Sequence, residues 1–133
     1  MKGNQLSKVY FSFLMALAVA SCVAPAGQVA TAEYNSNNPI CVGALDCQAK
    51  MEAARNWVAS NTGLQLVVDR DDLLETGGWG FEDLTAIRVR RAAIGSDRYW
   101  ILLDVSCATG DDSCPPYEQS ANNFNRAVSS ASN

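Results

Sequence analysis

The sequence predicts an α+β fold, a two-layer sandwich in which an antiparallel sheet of three or four strands carries two helices on one face. Three observations lead there. Apolar residues recur at helical spacing in two stretches, one near each end of residues 40–133. Strand-like alternating runs lie between those stretches, and four cysteines bracket the whole region. With 133 residues in the chain, there is room for one small core.

The first helix is "DCQAKMEAARNWVASNTG", from Asp46 as N-cap to Gly63 just past the end. Cys47, Met51, Ala54 and Val58 form its apolar stripe, and Trp57 lies on the border. "LQLVVD" follows as a strand, with Leu64, Leu66 and Val68 on one face. "DLLET" is a second short strand, and the glycines of "GGWGFED", residues 77–83, make that stretch a loop. "LTAIRVRRAAI" and "RYWILLDVSCA" form a hairpin around Gly95-Ser96-Asp97. With those three residues as the loop, Ile87 faces Val105, Val89 faces Leu103 and Arg88 faces Asp104. The second helix is "CPPYEQSANNFNRAVSSASN", where Pro starts the helix and Tyr117, Ala121, Phe124 and Val128 make the stripe. Its last residues fray. Leu64, Leu66, Val68, Ile87, Val89, Tyr99, Ile101, Leu103 and Val105 form the sheet face that the helices cover.

Ahead of this domain, "MKGNQLSK" supplies positive charge and Val9 to Ala20 supply an uncharged apolar run. The pattern is that of a signal peptide over residues 1–21. Crossing a bilayer takes about 20 apolar residues, more than this run offers before polar residues resume. Val19-Ala20-Ser21-Cys22 then resembles the bacterial lipobox, in which a branched apolar residue and two small residues precede the cysteine that accepts lipid. With Val23 after it, the chain resembles the small lipoproteins of Gram-negative bacteria sorted to the outer membrane. The resemblance implies lipidation at Cys22 and a membrane as one partner. Cleavage after Ala20 or after Ala26 is the alternative, and would give a soluble periplasmic or secreted protein. Residues 22–39, rich in Ala, Asn, Ser and Gly, read as a flexible tether spanning roughly 20 to 25 Å.

Setting Cys22 aside leaves Cys41, Cys47, Cys107 and Cys114 in the folded region, residues 40–133. Two local bridges, Cys41 with Cys47 and Cys107 with Cys114, are the favoured pairing, because each closes a short loop beside a helix start. The crossed pairing, Cys47 with Cys107 and Cys41 with Cys114, stays open. These spacings depart from the C-x-x-C of zinc ribbons and thiol oxidoreductases, so no metal is expected there.

Histidine is absent, which excludes His-dependent triads and most familiar zinc and copper sites. From Cys22 onward eight basic residues stand against 14 acidic ones, a net of −6, and such a surface repels nucleic acid. Asp69, Asp71, Asp72 and Glu75 form the densest acidic group, but their spacing departs from a calcium loop and fits a solvated turn. Strand alternation sends Arg88 and Arg90 to one face and Arg91 to the other. Trp100 and Leu102 share the face of Arg88 and Arg90, and Trp79 in the glycine-rich loop is within reach of it. Exposed, these five residues make a binding surface of the Trp-plus-Arg kind; covered by the loop, they make a second small core.

No cofactor is expected. The function expected is that of a lipid-anchored, non-enzymatic envelope module that binds another protein. The alternatives are a small envelope enzyme acting on peptidoglycan or glycan through Asp and Glu, and a periplasmic immunity or inhibitor protein.

Overall fold

The computed structural model describes residues 29–30, 37–110, 114 and 116–131. The signal segment, Cys22 and most of the tether lie outside them. Eight elements follow in order: β1 (Val29–Ala30), β2 (Ile40–Val42), α1 (Gly43–Asn61), β3 (Leu66–Asp69), β4 (Leu73–Thr76), β5 (Ala86–Gly95), β6 (Arg98–Ser106) and α2 (Tyr117–Ser129). All strand pairings are antiparallel. The sheet runs β1-β6-β5-β4-β3, and β2 also pairs with β6. Among the described residues no helix is long and apolar enough to cross a membrane.

The long hairpin of β5 and β6 organises the sheet, and its register is the expected one: Ile87 opposite Val105, Arg88 opposite Asp104, Val89 opposite Leu103. The register shifts between Ala93 and Gly95, and Asp97 takes φ 58. Gly95 pairs with Arg98, so the link itself is Ser96 and Asp97, one residue shorter than the expected Gly95-Ser96-Asp97, and the bulge beside Ala93 restores the expected register further along the strands. Asp tolerates a left-handed backbone better than most side chains.

Two expectations need correcting at the sheet's margins. The first concerns strand number, which exceeds three or four because β1 and β2 line the outer edge of β6. Val29–Ala30 and the buried Asn38 and Pro39 fall in the stretch assigned to a free tether, so part of that stretch belongs to the domain. An unpaired edge on β6 would leave backbone N–H and C=O groups without partners, and these short segments supply them. The second concerns Val68. A register shift between Leu66 and Val68 places Leu66 opposite Thr76 but Val68 opposite Glu75, so Val68 turns to the other face and Val67 is 68% exposed.

Helix α1 begins earlier than Asp46. Val42 is the N-cap, and Asp46 reaches back so that its Oδ2 accepts the Val42 N–H at 2.8 Å. Lys50 donates to the same carboxylate at 3.1 Å and to the Ile40 carbonyl at 2.7 Å, which ties the helix to β2. The Cys41–Cys47 bridge makes the same connection covalently, across a Cα separation of 4.8 Å. Gly63, at φ 65, lies just past the C-cap Thr62, where a left-handed residue is needed.

Both helices lie on one face of the sheet. Cys47, Met51, Ala54, Trp57 and Val58 from α1 and Phe124 and Val128 from α2 pack on Leu74, Ile87, Val89, Ile101, Leu103 and Val105. Trp57 meets Phe124 edge to face, centroids 5.2 Å apart, and its Nε1 donates to Asn123 Oδ1 at 2.8 Å. Tyr117 Oη donates to the Leu103 carbonyl at 2.9 Å, so the start of α2 is pinned over β6. The Cys107–Cys114 bridge spans the link between β6 and α2. The observed bridges are the two local ones.

Candidate functional site

The sheet face away from the helices carries Arg88, Arg90, Trp100 and Leu102, as strand parity requires. The structure joins the two arginines through one carboxylate. Asp104 is fully buried, and its Oδ2 accepts Arg88 Nε at 3.0 Å and Arg90 Nε at 2.8 Å. Glu75 of β4 stands opposite Arg88 on its other side. Trp79 lies against the Arg88 guanidinium, whose Cζ is 4.3 Å from the ring centroid. This stacking is favourable and further immobilises the arginine.

Leu102 is fully buried and is therefore no part of an exposed surface, contrary to its place among the five candidate binding residues. Trp79 and Trp100 are half-buried. The centre of this face is where both arginine side chains converge on the buried Asp104. Leu102, opposite Arg90 in the ladder, is shielded with it.

Exposure on this face lies towards the hairpin tip. Trp100 sits between Ala92 of β5 and Ile40 of β2. The next row outward holds Arg98, opposite Val42 on one side and Gly95 on the other, with Ile94 in the bulge next to Gly95. Val42 is 53% and Ile94 36% exposed. Val42 lies in β2, which the sequence did not reveal, and Ile94, expected as the last residue of its strand, lies in a bulge that leaves no mark in the sequence.

The acidic group is spread over several partners. Asp69 accepts Arg55 Nε at 2.6 Å, Asp72 accepts Arg70 Nε at 3.1 Å, and Asp71 stands 4.0 Å from Arg55. Among the described residues no group of three or more acidic, Cys or His side chains converges as a metal site would require. Arg91 projects to the helix-bearing side, where its Cζ lies 4.5 Å from the Tyr99 ring centroid.

A cleft of about 500 Å³ opens between the end of α1, the start of α2 and the sheet. Its wall includes Trp57, Asn61, Thr85, Gln119, Ser120 and Asn123, and none of the described lining residues is charged. Such a wall offers neutral hydrogen bonds rather than groups that exchange protons near neutral pH. Comparison with protein-family models, with curated protein sequences and with solved structures gives no match for this chain.

Proposed function

We propose that this chain is an exported envelope protein, anchored by lipid on Cys22, whose folded domain is a non-enzymatic module that binds another protein. Two features support export. The sequence from Val9 to Cys22 has the order of apolar run, small residues and cysteine that lipid attachment requires, and both local disulfides suit an oxidising compartment. The observation that carries the binding reading is the apolar end of the open sheet face. There exposed Val42 and Ile94 flank Arg98 and adjoin the half-buried row Ile40, Trp100 and Ala92. Aliphatic side chains around a tryptophan, with a guanidinium at the rim, match the make-up of interface cores. The contact surface is thus Trp100 with its neighbours towards the hairpin tip, while Arg88 and Arg90 act as its internal support.

Cross-linking in intact cells tests this. Val42→Asp and Ile94→Asp put charges at exposed positions and leave the core untouched, so both variants fold and both lose a partner that wild type captures. Capture unaffected by either charge contradicts the assigned surface.

A further inference from the structure

We infer that the cavity beneath Arg91 is a carboxylate-binding site. The cavity holds about 400 Å³ between α1, β5 and the hairpin tip, and its wall includes Gln48, Met51, Arg55, Asp71, Asp97 and Tyr99. Arg91 reaches it from β5, on the helix-bearing side of the sheet. The backbone N–H of Arg91 donates to the Asp72 carbonyl at 2.9 Å, which fixes the strand there. The Tyr99 ring holds the guanidinium from one side, with Cζ 4.5 Å from its centroid. Nε of Arg91 is buried and has no hydrogen-bond partner.

The chemistry follows from what the neighbouring cation is doing. Arg55 is committed: it donates to Asp69 at 2.6 Å and to Glu52 at 3.2 Å. No carboxylate among the described residues forms an ion pair with Arg91. A charged donor buried without an acceptor is destabilising, so an incoming acceptor is favoured. A guanidinium presents its N–H groups as a planar fork to a planar two-oxygen group, and a carboxylate is the group that matches.

Charge on the wall narrows the ligand. Asp71 and Asp97 balance Arg55 and Arg91 in number, so the site as a whole is neutral. That balance disfavours a multiply charged anion such as phosphate. It favours a carboxylate whose molecule also carries an ammonium group, and the volume suits a ligand of dipeptide size.

The test follows the side-chain Nε–H resonance of Arg91 by NMR in the full-length chain, with three probes: alanyl-alanine, alanyl-alanine amide and acetate. Alanyl-alanine at millimolar concentration is expected to shift the Arg91 Nε–H and the Tyr99 ring signals, and the amide is expected to leave them in place. A response to alanyl-alanine alone assigns the site to peptide ends, and a comparable response to acetate assigns it to free carboxylates. Arg91→Gln is expected to weaken binding about tenfold or more, the loss of one charge-assisted hydrogen bond. Arg91→Lys, which keeps the charge without the planar fork, recovers only part. Equal shifts with acid and amide, or no shift with either carboxylate, overturn the proposal. That comparison uses the unmodified chain and does not depend on how the variants fold.

Discussion

Arg90 donates from Nε to the fully buried carboxylate of Asp104 at 2.8 Å, from the strand neighbouring its own. Arg88 donates to the same oxygen at 3.0 Å. One buried anion therefore holds two cations whose side chains remain about a quarter exposed. Asp104→Asn keeps the shape and removes the charge, leaving both guanidinium groups without their counter-ion. Breaking a buried ion network by removing one partner costs on the order of 3 kcal/mol. Urea unfolding is expected to show a loss of that size, and an unchanged midpoint would show that solvent, rather than Asp104, balances the arginines.

The contact of Trp57 with Phe124 is where the two helices meet over the sheet. Phe124→Ala leaves a cavity under α2 and is expected to destabilise the domain by about 3–5 kcal/mol. Trp57→Phe preserves most of the packing and removes the hydrogen bond to Asn123, for an additional term of about 1 kcal/mol. Thermal unfolding of the two variants ranks them, and a larger loss for Trp57→Phe would contradict the central place given to Phe124.

Removing the Cys41–Cys47 bridge as a Cys41→Ser, Cys47→Ser pair frees β2 from α1. Short loops gain least from closure, so a loss of about 2 kcal/mol is expected. The same variant exposes the outer edge of β6, which hydrogen exchange at Ile101 reads directly, because its N–H donates to Pro39. Protection at Ile101 equal to wild type would show that β2 stays docked without the bridge.

The start of α1 responds to acid. Partial burial opposes ionisation of Asp46, but the Val42 N–H, the Lys50 hydrogen bond and the Lys50 charge together outweigh it and hold the carboxyl below its ordinary value of 3.8. A depressed folded pKa means that the stabilisation is fully present above 3.8 and is lost as pH falls through the lower folded value. Wild type is therefore expected to exceed Asp46→Asn in stability at neutral pH, with the gap narrowing in acid. Urea midpoints measured across that range check the sign, and a gap that does not change with pH contradicts it.

Local chemistry made part of this legible in the sequence. The opposition of Arg88 and Asp104 was readable because three hairpin positions agree on one register. The local disulfides and Gly63 were readable for the same kind of reason, since short spacing and a required left-handed residue leave a direct mark. The bulge beside Val68 left none, because "LQLVVD" alternates equally well with or without it. Burial of Leu102 depends on what covers the sheet, and parity assigns a face without saying whether that face is dry. Arg91 was separated from Arg88 and Arg90 by the same parity, yet its place beside Tyr99 and the cavity needed the position of α1.

The central claim is that an envelope anchor on Cys22 carries this domain, and the mass of the mature N-terminus tests it most directly. Protein extracted from membranes and cleaved by protease is expected to yield an N-terminal fragment that begins at Cys22 and carries added acyl mass. A fragment that begins at Ser21 or at Gly27 with no added mass, recovered from the soluble fraction, would contradict it.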